Sequence, residues 1–231
     1  MQSSFSNSVT TKTAVVIGAT GLVGKALVAM LTTSPHYSKI VTITRRQVDY
    51  DNDRVENHVV DFAQLAEHSE LFHGDVLFSC LGTTLKQAGS VAAQWIIDYD
   101  YQVAAATLAC SNGIPHYLLV SSSGANCASR SSYLKMKGEL DNAVKAMTFE
   151  RISIVKPSLL LGDRDQTRLG ENLASVILPT LCRLPGLKRY RPIKGEQVAE
   201  RLLQLSIAQG TGIEELMLDE VFPQATGADG D

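Results

Sequence analysis

The sequence predicts an α/β domain built on a doubly wound parallel sheet with a small C-terminal cap, and three observations carry that expectation. Short, β-branched apolar runs alternate with segments of helical period from Thr13 to about Pro157. Continuous apolar strands divided by helices belong to parallel sheets covered on both faces. A glycine-rich turn joins the first strand to the first helix. The 231 residues, 45% hydrophobic and 19% charged, suffice for one such domain and its core.

Strands are expected over 14–17, 40–44, 56–60, 76–80, 117–121 and 151–156, with helices over 22–31, 63–71, 91–111 and 133–147 between them. Right-handed crossovers between such strands put ligands at the carboxyl ends of the sheet. After Pro157 the alternation weakens; helices over 171–183 and 196–209 and a late strand over 214–218 are expected there. Residues 13–222 therefore read as a single domain, in which the part from about 158 forms a small substrate cap over the sheet's active edge. The polar ends, 1–12 and 223–231, read as disordered tails.

A formal net charge of -3 argues against a generally basic, nucleic-acid-seeking surface. Four cysteines (Cys80, Cys110, Cys127, Cys182) stand far apart with no C-x-x-C pair, and five histidines (His36, His58, His68, His73, His116) fall in separate segments. Neither a metal site nor a disulfide framework is expected. The longest apolar runs, such as 155–161, are broken by Lys156 and Pro157 and are too short to span a bilayer. The polar N-terminal stretch lacks the apolar core of a secretory signal, which points to a cytoplasmic protein.

The turn reads Gly18-Ala19-Thr20-Gly21-Leu22-Val23-Gly24, with glycines spaced G-x-x-G-x-x-G after an apolar strand. In that setting the first glycine permits the tight turn, the second lets backbone approach a pyrophosphate, and the third lets helix and strand pack closely. The helix start aims free N–H groups and a positive dipole end at the phosphates. This is the fingerprint of a Rossmann fold, and all seven residues are candidate dinucleotide contacts. The second strand ends in Arg45-Arg46, with no acid at its tip. An acid there accepts from the ribose 2′-hydroxyl of NAD, whereas arginine accommodates the 2′-phosphate of NADP, so NADP(H) is the expected cofactor. Asp49 and Asp51, close in sequence, weigh against that choice. Asp61, followed by Phe62, is either an acceptor for the adenine amino group or the N-cap of the next helix. Leu81-Gly82-Thr83 brings small residues to the end of the fourth strand, where backbone would pass close to the cofactor.

Ser121-Ser122-Ser123 closes the fifth strand, and Tyr133 and Lys137 follow, four apart. On a helix that spacing puts both side chains on one face. An ammonium beside a phenol favours tyrosinate, which makes the pair a proton-transfer device next to a hydride donor. Lys137 can also bond the nicotinamide ribose. Ser122 or Ser123 would hydrogen-bond the substrate oxygen, with Ser121 a cofactor contact. Lys135 is off-register and expected to face solvent.

The glycine turn, the strand-end arginines, Cys80-Leu-Gly-Thr-Thr84, the serine run, the Tyr/Lys pair and Lys156-Pro157-Ser158-Leu159-Leu160-Leu161 occur in that order. With them the chain resembles an atypical short-chain dehydrogenase/reductase, most similar to the Tat-interacting-protein oxidoreductase family and its bacterial relatives. The resemblance spans roughly Thr13 to Leu205. It implies an NADPH-binding Rossmann domain, Tyr133 as proton donor, Lys137 as its partner, and Pro157 to Leu160 beside the nicotinamide. The link between serine run and tyrosine is shorter here than in the extended, epimerase-like members. Members of the family often lack an established substrate, and some act chiefly through protein partners.

From Asn172 to Gly195 there is no acid, while Arg183, Lys188, Arg189, Arg191 and Lys194 are basic. Such a strip could select an anionic substrate, complement cofactor phosphates, dock an acidic partner, or be a solvated face without a role. The leading expectation is an NADPH-dependent reductase of a small carbonyl-type substrate, with no nucleic-acid or membrane partner. A homodimer or a protein partner stays open. The rival reading is an NADPH sensor that acts through partners without turnover; the Tyr/Lys pair favours the enzyme. Epimerase chemistry on a nucleotide sugar would use the same device but needs a larger second lobe.

Overall fold

Seven parallel strands are laid side by side in the computed structural model, which describes residues 11–161 and 188–224. In chain order they are β1 (Lys12–Ile17), β2 (Tyr37–Thr44), β3 (Val55–Val59), β4 (Val76–Ser79), β5 (His116–Val120), β6 (Arg151–Lys156) and, after a small pair formed by β7 (Leu160–Leu161) and β8 (Ile193–Lys194), β9 (Gly212–Met217). Their spatial order is β3-β2-β1-β4-β5-β6-β9. The winding direction reverses between β1 and β4, and a crevice opens there at the strands' carboxyl ends.

Period-2 alternation explains why the strands read as uninterrupted apolar runs. On β1, Ala14 and Val16 face one layer while Val15 and Ile17 face the other, and all four are fully buried. The first layer holds α1 (Leu22–Thr33) and α6 (Gly195–Ile207), which pack on one another through Leu27, Leu31, Val198 and Leu202. The second holds α4 (Tyr101–Ser111) and α5 (Ser132–Lys145), seated through Ala105, Ala109, Leu140 and Val144.

Three expectations need correction. The segment expected as an α-helix over 63–71 is a 3₁₀ stretch, Phe62–Leu71, broken by non-helical dihedrals at Gln64 and His68. After a one-turn α2 (Leu85–Ala88), the single helix expected over 91–111 is α3 (Val91–Trp95) and α4 joined by a π-helical turn, Ile96–Asp100. Finally, the part after 158 is not all cap. α6 completes one helical layer, and β9 pairs in parallel with β6 as a strand of the main sheet. Close contact seats α6: a Cβ at Gly195 would lie 2.6 Å from Leu22 Cγ. The helix expected over 171–183 lies outside the described residues. Among those described, no helix is long and apolar enough to cross a membrane.

Candidate functional site

The glycine turn is shaped by contact with the neighbouring strand tip. Gly18 has φ +76°, and a Cβ there would sit 2.4 Å from the Cys80 carbonyl carbon. A Cβ at Gly24 would lie 2.2 Å from the Gly18 oxygen, so α1 can approach β1 only through glycine. Gly21 is less crowded, its Cβ position lying 3.2 Å from the Gly18 oxygen. As N-cap it offers α1 no side chain, and the first turn carries no acid. The first amide to bond back is that of Lys25, to the Gly21 oxygen at 3.0 Å. The amides of Leu22, Val23 and Gly24 thus have no acceptor among the described residues, which leaves a positive helix start open to an anion.

Gly18, Ala19, Thr20 and Gly21 form one side of a cleft whose other walls include Thr44, Arg45, Phe62, Leu81, Gly82 and Thr83. Arg45 also borders an adjoining slot with Asp61, Phe62, Ile97 and Tyr101. No carboxylate lies within 4.0 Å of Arg45 or Arg46 among the described residues. Asp49 accepts instead from Gln47 Nε2 at 3.3 Å. Arg46 stands outside the cleft, its carbonyl held by Thr44 Oγ1 at 2.8 Å. Asp61 accepts from the Ala63 amide at 3.0 Å, so it caps the 3₁₀ stretch while it borders the slot.

Beneath the β4 tip lies a buried polar chain that sequence reasoning missed. Thr83 donates its amide to Asp98 Oδ1 at 2.7 Å, and Gln94 Nε2 donates to the Thr83 carbonyl at 3.2 Å. Gln102 Nε2 donates to the Asp98 carbonyl at 2.7 Å, and Ser79 Oγ donates to Gln102 Oε1 at 2.7 Å. Burial raises the Asp98 carboxyl above its ordinary range, against the lowering field of Lys137 and the bond from Thr83. A readable signal existed: Gln94, Asp98 and Gln102 recur every four residues, on one face of the helical segment. Gly82, by contrast, meets only Asp98 Oδ1 at 3.7 Å, so packing within the protein does not require glycine there. Burial pushes the Cys80 thiol up to about 12, which disfavours the thiolate.

Tyr133 and Lys137 occupy one face of α5, Tyr133 near its start and 37% exposed, Lys137 one turn deeper and 3% exposed. Lys135 is exposed. The helix is capped by Ser131, which accepts from the Leu134 amide, and it presses on the preceding loop at Gly138, where a Cβ would be 2.4 Å from Asn126 and Cys127 backbone. The serine run is laced to the tip of β6: Ser121 donates its amide to Val155 at 2.8 Å and Ser123 to Pro157 at 3.0 Å. Pro157 is thereby brought beside the serines. Ser121 Oγ is buried without a partner, whereas Ser122 Oγ makes only a long contact to the Ser123 carbonyl, 3.4 Å. Leu160 lies in β7, half-buried against the core. Below α5, Lys156 pairs with Asp141 at 2.9 Å and with Glu215, which also takes Lys145. Burial alone would raise the Glu215 carboxyl; the two lysines bring it below the usual range.

Residues 14–176 match the NAD-dependent epimerase/dehydratase family. The chain belongs to this family. Among its curated relatives is Protein HTATIP2 of Rattus norvegicus, 38% identical over 167 residues, 71% of this chain and 69% of the relative. Another is the mitochondrial Protein FMP52 of Eremothecium gossypii, 33% identical over 199 residues, 84% and 88% respectively. Solved structures give the same fold at 12–14% identity. The Bordetella bronchiseptica enzyme WbmH, in complex with NAD+, superposes with a TM-score of 0.68 over 90% of this chain and 76% of that one. The UDP-N-acetylglucosamine 4-epimerase of Methanobrevibacter ruminantium, in complex with UDP-N-acetylmuramic acid, gives 0.67 over 90% and 77%.

A nicotinamide dinucleotide is the group this epimerase/dehydratase family uses, and the cleft fits one. The open amides at the start of α1 suit a pyrophosphate, and the orphaned Ser121 hydroxyl faces no protein acceptor. The expected cytoplasmic location is overturned: relatives in Eremothecium gossypii, Candida albicans, Candida glabrata and Saccharomyces cerevisiae are named mitochondrial. A polar N-terminal stretch does not distinguish cytosol from organelle.

Proposed function

We propose that this protein is an NADP(H)-dependent reductase of a small carbonyl-type substrate. The observation that carries the reading is the graded face of α5, with exposed Tyr133 above buried Lys137 and a serine run fastened alongside. A bound dinucleotide supplies the hydride. Tyr133 delivers its hydroxyl proton to the carbonyl oxygen as that oxygen gains charge, and Ser122 or Ser123 orients the same oxygen by donating to it. The Lys137 ammonium holds the nicotinamide ribose and stabilises the tyrosinate left behind. Arg45 borders both the glycine turn and the adjoining slot with no carboxylate beside it among the described residues, which supports a role in accepting a 2′-phosphate. Leu160–Leu161 and Ile193–Lys194, paired as β7 and β8, would lie on the substrate side, and the basic residues beside β8 bear on substrate choice. Exposed Arg189 and Lys194 favour an anionic substrate, while Arg191 is spent on the Phe222 ring, 3.7 Å from its centroid.

Turnover of NADPH against a carbonyl panel tests the reading. Tyr133→Phe is expected to lower the rate by about 10²- to 10⁴-fold with the dinucleotide still bound. Arg45→Ala is expected to weaken NADPH by about 10- to 100-fold and leave NADH nearly unchanged. Tight NADPH binding with no oxidation by any carbonyl would sink the reductase and leave a sensor. Equal losses for both dinucleotides would sink the NADP assignment.

A further inference from the structure

We propose that Asp98 is the positioning residue for the nicotinamide half of the dinucleotide site, one buried carboxylate that ties down the β4 loop and supplies the counter-charge to Lys137. The proposal rests on the reading above, in which Lys137 meets the nicotinamide ribose.

The local geometry is costly and therefore informative. Asp98 sits within the π-helical turn between α3 and α4, a backbone form that is rare and concentrates at functional sites. It is fully buried. A buried carboxylate is tolerated only when hydrogen-bonded or paired. Its Oδ1 takes the Thr83 amide and its backbone oxygen takes Gln102; Oδ2 has no hydrogen-bond partner within bonding geometry, although the Gln94 side chain is close enough to favour the carboxylate. Gln94 already secures the other side of Thr83 through its carbonyl. A neutral asparagine would hold the same loop equally well through its own Oδ1. The loop therefore does not require an acid at this position.

Lys137 supplies a reason for one. Among the described residues it is the charged side chain whose field reaches Asp98, across the contact between α5 and the π turn. The other elements packed there offer Gln94, Gln102 and the β4 tip with Cys80, none of them charged. Lys137 is itself buried and has no ion pair among the described residues. Asp141, one turn further along α5, is engaged by Lys156. Among the described residues of α5 and the π turn, Asp98 and Lys137 are the buried ionisable side chains left without an ion pair. A single carboxylate thus sets the spacing between the loop that would run along the dinucleotide and the lysine that would hold its ribose.

Calorimetric titration of the full chain separates this from a structural role by using fragments. Adenosine 2′,5′-bisphosphate probes the adenine half and NADP+ both halves; ADP against NAD+ is run in parallel, so a preference for either dinucleotide leaves the comparison intact. Asp98→Asn keeps the acceptor for Thr83 and removes the charge. It is expected to weaken NADP+ by about tenfold, leave the bisphosphate unchanged, and melt within about 3 °C of wild type. Equal weakening of both ligands, or of neither, overturns the proposal. A wild-type chain that gains nothing from the nicotinamide half overturns the reading of Lys137 and the proposal together. If Asp98→Asn does not fold, the Asp98 carboxyl carbon is followed by NMR in wild type and Lys137→Gln. Its titration midpoint is expected to rise by about one pH unit when the lysine charge goes, and an unmoved midpoint overturns the proposal.

Discussion

A methyl group at position 18 would have to occupy the place of the Cys80 carbonyl, whereas one at position 21 would press only on the oxygen of Gly18. The same substitution should therefore fail in two ways. Gly18→Ala combines a left-handed φ with a 2.4 Å clash and is expected to cost at least about 2 kcal/mol in urea unfolding. Gly21→Ala should stay folded, because its 3.2 Å contact can relax, and lose dinucleotide affinity by calorimetry. A Gly21→Ala protein with undiminished affinity would mean that the ligand does not approach this turn. The turn was legible because three glycines sit at fixed spacing between a strand and a helix. Asp98 was only half legible: its four-residue spacing from Gln94 and Gln102 marks a polar face, but with Asp100 two residues on, only burial shows which acid lies inside. The capping role of Asp61 needed coordinates as well: its Oδ1 accepts from the Ala63 amide while the residue borders the slot.

At the scale of elements, α5 depends on its fit against the loop before it. Gly138→Ala would push a Cβ into Asn126–Cys127 backbone and is expected to destabilise the fold by about 1–3 kcal/mol. The displaced helix should also weaken NADP+ more than adenosine 2′,5′-bisphosphate, because Lys137 moves with it. Equal melting of wild type and variant would refute the tight contact. Sequence periodicity located α1, α5 and the first six strands of the sheet to within a residue or three. It failed where the backbone departs from a 3.6 repeat, at the 3₁₀ stretch and at the π turn, whose bonds apolar spacing does not report. It also misjudged the role of α6 and β9. Gly212, Ile213 and Met217 are exposed along β9, an edge strand, so it lacks the continuous apolar run that marks a buried parallel strand.

Across the whole molecule, the amino ends of β5, β6 and β9 are joined by one polar network. Ser153 Oγ donates to Glu214 at 2.6 Å and lies 2.9 Å from His116 Nε2, and Arg151 binds Glu214 together with the Leu205 carbonyl. Ser153 spends its proton on Glu214, so the imidazole donates to Ser153 and is neutral. Burial, then the fields of Arg151 and Lys12, lowers His116 to about 3. In the unfolded chain the imidazole titrates near about 6.5. Between those values the unfolded chain binds a proton that the folded chain refuses. His116 therefore supports the fold above about pH 6.5, and that support is lost as pH falls, by up to ~1.4 kcal/mol per pH unit. Urea midpoints at pH 7, 6 and 5 should drop more steeply for wild type than for His116→Gln, and parallel curves would refute the buried neutral histidine.

The place of β9 beside β6 also sets an order of events when the chain is made. β6 emerges from the ribosome well before its neighbour, with all of 157–211 still to come. Until then its outer hydrogen-bonding edge is bare, and Arg151 and Lys156 wait for Glu214 and Glu215. A stalled or nicked product ending in that interval would present an unpaired strand edge, the surface on which chains add to one another. Sheet closure in this protein is thus a late step of synthesis, made long after the cofactor turn has formed.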